Sequence, residues 1–341
     1  MRADAHLDIA WSALVENRGF DRPTATGYLI SRESLVESGI GLVFATIFCP
    51  PVTTKVVATQ FRYSTTREAN IMGRFQLGYY RSIGLRLITT RQELSEHVRA
   101  SNNRLVAAVL LMEGADPIEE PGQVGEWVNA GVRIIGPAWE STRYSGGTGD
   151  LGGLTLLGYE LLEQMARHGV ILDLSHLSNR AVMDVLAVWE GPVIASHSNA
   201  RAICPGDRQL SDETVAWIGR RNGVIGVSFF KDHLRANGRR PRLDDVVDHI
   251  RWLVDVAGSP RHVGLGTDAD GLFPASDSPI DSLSELDELE RMLIRHFDKA
   301  DVAGIMGGNW IHFLADSLPD SRNGNRIDDG RRHARVHGKD R

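Results

Sequence analysis

The chain has 341 residues, 42% of them apolar and 24% charged, enough to build the core of a large soluble globular protein. A formal charge of −6 leaves no basic footprint for nucleic acid and no polybasic anchor for a membrane, so a small-molecule substrate is expected. Cys49 and Cys204 form no disulfide framework or zinc-finger spacing, and there is no leader-like start and no run of the ~18 apolar residues a spanning helix needs, which fits a cytoplasmic location.

Eight short apolar runs, rich in β-branched residues, follow one another along the chain. They are ADAHLDI (3–9), GLVFATIFC (41–49), RLVAAVLLMEG (104–114), VRIIGPAW (132–139), VILDLSH (170–176), PVIASHS (192–198), GVIGVSFF (223–230) and HVGLGTDAD (262–270). Longer helical stretches separate them. The connection 50–103 predicts two helices, from TREANIMGRFQLGYYRSIG and RQELSEHVRA; LLGYELLEQMARHG stops at Gly169; TVAWIGRR follows SDE, a cap with acids in the first turn. Continuous apolar strands alternating with helices predict a parallel sheet buried on both faces. Eight such units predict an α/β fold of the (β/α)8 TIM-barrel type, with its site at the C-terminal strand ends. Residues 1–318 read as one domain, and 319–341 as a polar, flexible tail.

The chemistry-bearing residues fall at those ends. His6 and Asp8 finish the first run, Glu113 the third, His176 the fifth, His197 the sixth, and Asp268 and Asp270 the eighth. Residues i and i+2 of a strand face one side, so His6 and Asp8 can bite one metal together. A ring of three imidazoles and at least three carboxylates calls for a cation, because grouped buried carboxylates repel and lose hydration. Nitrogen and oxygen ligands without thiolate favour Zn2+, with Mn2+, Co2+ or iron as alternatives, and six ligands suit two ions better than one. His168, His249 and His262 read as surface or helix-end residues.

At DAHLD (4–8), MEGAD (112–116), LDLSHLS (172–178), SHSNARAIC (196–204) with Arg208, GTDADG (266–271) and MGGNW (306–310), the chain resembles the membrane (renal-type) dipeptidase family of dinuclear metal amidohydrolases. The resemblance implies a zinc-dependent hydrolase of dipeptides or dipeptide-like amides, in which a bridging hydroxide attacks the scissile carbonyl. It implies that His6, Asp8 and Glu113 hold one Zn2+, that Glu113 bridges to a second held by His176 and His197, that Asp268 shuttles the proton, and that Arg208 receives the substrate's carboxylate. It further implies a possible homodimer. One departure stands out: where the family has a Thr-His step at the end of the fourth strand, this chain has GPAWESTRYSGG (136–147), without histidine. Trp139, Arg143 and Tyr144 are the hydrogen-bond donors that can take the place of that imidazole. Two alternatives accompany this reading: an amidohydrolase acting on N-acyl amino acids, lactones or lactams, and a metal-binding barrel with a sensor or partner role.

Overall fold

The computed structural model describes residues 1–55, 57, 59–100 and 105–320, so the expected polar tail lies outside them from 321 onward. Nine parallel strands form one sheet: β1 (Arg2–Leu7), β2 (Ile40–Phe48), β3 (Arg86–Leu87), β4 (Ala107–Glu113), β5 (Val132–Gly136), β6 (Ile171–Asp173), β7 (Val193–Ala195), β8 (Val224–Val227) and β9 (Val263–Leu265). Eight of them run in the order β1-β2-β4-β5-β6-β7-β8-β9, matching the eight sequence runs. The two-residue β3, not expected from sequence, pairs only with Ala107 and Ala108 of β4.

Closure comes from side chains. The carboxylate of Asp4 on β1 accepts the Thr267 N–H at 2.9 Å and the Thr267 hydroxyl just beyond β9. The result is the (β/α)8 barrel.

The apolar runs hide an alternation. On β2 and β4, Leu42, Phe44, Ala107, Val109 and Leu111 pack inside the barrel, whereas Val43, Ala45, Ile47, Ala108, Leu110 and Met112 pack outward under the helices. Glu113 continues the inward parity to the rim, two residues past Leu111. Trp310, from the helix Asn309–Ser317, joins the interior cluster, meets Phe44 with ring centroids 5.0 Å apart and donates its indole N–H to the Leu265 carbonyl. That helix floors the barrel.

Local signals place the helices much as expected. Thr66–Ser82 opens with a Thr65/Glu68 capping box, Asp212–Arg220 is capped by Ser211, and Leu156–Arg167 ends before Gly169, whose φ of +63° suits glycine. Close backbone approach demands two other glycines. A Cβ on Gly226 or Gly266 would lie 1.9 or 1.8 Å from the Ser196 carbonyl oxygen, so β7, β8 and the chain beyond β9 crowd together where the site begins. No helix among the described residues is long and apolar enough to cross a membrane.

Candidate metal centre

β1 does not deliver His6 and Asp8 by simple alternation. Ala3 and Ala5 pack inside and Leu7 outside, and the register with β2 shifts between Asp4 and Leu7. The irregularity turns His6 toward the site, and Asp8 enters from the position just before the short helix Ile9–Leu14, its side chain making no capping hydrogen bond. Both still face one partner. His6 Nε2 lies 3.9 Å from Asp8 Oδ1, 3.6 Å from Glu113 Oε1 and 3.9 Å from Asp268 Oδ1.

The same Glu113 oxygen is 3.0 Å from His176 Nε2 and 3.4 Å from His197 Nε2. His176, His197 and Asp268 sit on the turns just after β6, β7 and β9, because these strands end earlier than the sequence runs expected to carry the three residues. His176 and Asp268 take left-handed backbone conformations, φ +69° and +58°, which cost of order 1–3 kcal/mol each and persist only where surrounding structure enforces them.

Three overlapping groups of ligand atoms each fit within 4.8 Å: His6 with His197 and Asp268; Glu113 with His176 and His197; His6 with Asp8 and Glu113. All six residues are deeply buried or nearly so. Burial, followed by the charges of Asp8 and Asp268, raises the Glu113 carboxyl well above the carboxylate range, and burial with Asp8 does the same to Asp268. Burial likewise pushes Asp8 up to about 6, against the Thr46 hydroxyl that donates to it. His6 falls to about 3 through burial and the nearby Arg208 charge, and His176 and His197 also stay well below the ordinary imidazole value. The rings are therefore neutral, and the charges of Arg208 near Glu113 and Asp268 and of Arg18 near Asp8 only partly offset the burial of the three carboxylates.

The donor set fits a cation. His176 Nε2 and His197 Nε2 stand 3.0 Å apart, while their Nδ1 atoms face Thr148 Oγ1 and Ser196 Oγ at 3.0 and 2.8 Å. The Trp139 carbonyl also supports His176 as a hydrogen-bond acceptor. With protons on the Nδ1 atoms, two bare Nε2 lone pairs and a carboxylate oxygen converge, an arrangement that repels without positive charge between them.

Other expected residues take different places. Arg208 is buried and donates to the His197 carbonyl (2.7 Å) and Ser198 Oγ (3.0 Å), while its Nε finds no partner among the described residues. Trp139 stands beside the cluster, its ring 6.1 Å from that of His176 and 4.9 Å from Phe48. Arg143 and Tyr144 are not brought to it. Arg143 donates through Nη2 to the carbonyls of Ile118 and Glu119 and sets its Nε 3.6 Å from Asp116 Oδ1, and the fully buried Tyr144 donates to the Ile118 carbonyl, so both are held by the loop around Asp116. Asp270 also turns away: its carboxylate accepts the Leu29 and Ile30 N–H groups and pairs with Arg18. His249 is no surface residue but a buried one, accepting from the Ala200 N–H and bonding the Leu234 carbonyl.

Sequence reading missed His233, which follows β8, lies 2.9 Å from Ser228 Oγ through Nδ1, and contributes to the field at His176 and His197. It also missed Asp173 and Ser196. The available signal was an aspartate inside an otherwise apolar strand, LD, with a serine directly preceding His197.

Barrel and ligand cluster together define a metal-dependent hydrolase of the TIM-barrel type. The membrane dipeptidase family profile matches residues 1–318. An uncharacterized protein from the pqqA 5′ region of Klebsiella pneumoniae is 32% identical over 230 residues, covering 63% of this chain and 84% of that protein. An uncharacterized dipeptidase of Schizosaccharomyces pombe is 33% identical over 220 residues, 61% of this chain but only 52% of its own length. A crystal structure described as dipeptidase AC, a metallopeptidase, superimposes with a TM-score of 0.80 at 26% identity, over 93% of this chain and 98% of that one. The chain belongs to the membrane dipeptidase family.

Proposed function

We propose that the chain hydrolyses dipeptides or dipeptide-like amides with two divalent cations, Zn2+ by preference, and that residues 1–318 are its hydrolase domain. The observation that carries this reading is the convergence of three imidazole Nε2 atoms within 3.0–3.6 Å of one Glu113 oxygen, in a chain of this family. His6, Asp8 and Glu113 would hold one cation, and Glu113, His176 and His197 the other. Bound there, the pair would supply Lewis acidity and lower the pKa of water toward ~7.

Asp268 is the proton carrier. Its carboxylate accepts a proton from the attacking water, the resulting acid being favoured by burial and the Asp8 charge, and hands it to the leaving amine nitrogen. Arg208, held by the His197 carbonyl and Ser198, presents a guanidinium to the substrate's C-terminal carboxylate. That anchor fixes the amide relative to Asp268.

Trp139 favours a second reading. An indole packed against Phe48 stands at the rim beyond β5, so the carbonyl side of the substrate meets an aromatic wall, which suits an N-acyl amino acid, lactone or lactam. A panel of dipeptides, N-acyl amino acids and lactones, offered to Zn2+-loaded protein, separates the two. Dipeptide turnover that disappears in Asp268→Asn with metal retained is the expected result; turnover confined to the other classes transfers the assignment to them, and none at all overturns both.

A further inference from the structure

Asp173 ends β6 fully inside the protein, yet among the described residues no charged group forms an ion pair with it; instead its carboxylate accepts hydrogen bonds from Ser175 and Ser196. Its Oδ1 accepts the N–H groups of Ser175 (3.0 Å) and Ser196 (2.8 Å), and its Oδ2 accepts the Ser196 hydroxyl at 2.5 Å. The carboxylate takes the proton of that hydroxyl in preference to Ser175 Oγ, which stands farther off at 3.3 Å. Ser196 Oγ then faces His197 Nδ1, 2.8 Å away, as an acceptor, so hydrogen-bond accounting puts the ring proton on Nδ1 and leaves Nε2 bare. The His197 backbone N–H is held as well, by Ser175 Oγ at 3.0 Å.

We propose that Asp173 and Ser196 are positioning residues which lock His197 in the tautomer that can bind a cation through Nε2. This rests on the cation-pair reading above. The effect is confined to the position shared by Glu113, His176 and His197, because His6 has no such support: its Nδ1 is buried without a hydrogen-bond partner among the described residues. Groups that orient a metal-binding histidine from behind contribute roughly 10–100-fold in metal affinity.

Asp173→Asn tests the logic because it keeps shape while reversing polarity. The amide oxygen can still accept the two backbone N–H groups, but the amide nitrogen now donates to Ser196 Oγ. The hydroxyl turns to donate to His197 Nδ1, and the ring proton moves to Nε2, covering the lone pair that faces Glu113 and His176. Imidazole 15N NMR of metal-free protein should show the Nδ1–H form of His197 in wild type and the Nε2–H form in Asp173→Asn. Calorimetric titration with Zn2+ should show one of two equivalents weakened by about 10–100-fold and the other unchanged. Ser196→Ala should weaken the same equivalent, and Ser196→Thr, which keeps the hydroxyl, should restore it. A wild-type tautomer in Asp173→Asn, or wild-type affinity for both equivalents in Ser196→Ala, overturns the proposal; a purely structural role would lower stability without moving the ring proton. Fewer than two equivalents in wild type would refute the cation pair, while the tautomer comparison still decides the role of Asp173.

Discussion

Glu113→Gln separates the energetic cost of the site from its use. The Glu113 carboxyl is buried beside Asp8 and Asp268, and burial together with their charges disfavours its ionised form, at the expense of folding in metal-free protein. Glutamine fills the same space, carries no charge, and its amide can donate to His176 Nε2, 3.0 Å away. Metal-free Glu113→Gln should therefore melt above metal-free wild type. Wild type gains from cation binding: a hundredfold excess over Kd contributes about 2.7 kcal/mol per site. With an unfolding entropy of about 2.1 cal/mol/K per residue, hence ~0.7 kcal/mol/K for 341 residues, that corresponds to ~4 °C per site. Glu113→Gln removes the proposed shared ligand and should remove most of that increment with it. Differential scanning calorimetry of chelator-treated protein with and without Zn2+ reads both effects. A variant that keeps the full metal-dependent shift, or that is less stable than wild type without metal, refutes the reasoning.

Three further outcomes are expected. Arg208→Ala should raise KM for substrates with a free carboxylate by about 10–100-fold, the scale of a lost charge-assisted hydrogen bond, and leave carboxamide analogues nearly unaffected; steady-state kinetics on paired substrates checks this. His249, lowered by burial to about 4, is neutral in the folded chain while the unfolded chain protonates near 6.5. The stability this contributes is complete above pH 6.5 and is lost as pH falls toward 4, about 3 kcal/mol in all, so urea unfolding of His249→Gln should show a shallower acid slope than wild type. Gly266→Ala puts a Cβ 1.8 Å from the Ser196 carbonyl oxygen and should cost about 3 kcal/mol; a loss below about 1 kcal/mol in the same urea assay would mean that the crowding is relieved freely.

Much of this architecture was legible because it repeats. Eight buried parallel strands must be apolar on both faces, so their runs stand out, and a polar residue closing such a run marks the rim: Glu113, His197 and Asp268 were found that way. Direction beyond a strand end was harder. Arg143, Tyr144 and Asp270 lie close in sequence to rim residues, but once the chain leaves the ladder its turn decides where a side chain points, and in these three cases backbone groups of neighbouring loops take the hydrogen bonds. The register shift of β1 was illegible for a related reason. It reflects the partner strand, which the pattern of residues 3–9 does not contain. His249 looked like a helix-surface residue because the helix Leu243–Ala257 carries charges around it; the backbone of residue 200, far away in sequence, is what buries it.

The clasp between Asp4 and Thr267 has a consequence for biogenesis. Synthesis runs from the amino end, so His6 and Asp8 leave the ribosome more than 250 residues before the segment that completes their ring. Until that segment and the flooring indole of Trp310 arrive, the nascent sheet is an open, aggregation-prone surface, and Asp268 cannot yet face the proposed ligands His6, Asp8, Glu113, His176 and His197. Completion of the proposed site by its proton carrier is thus a late step of maturation, timed by the last strand.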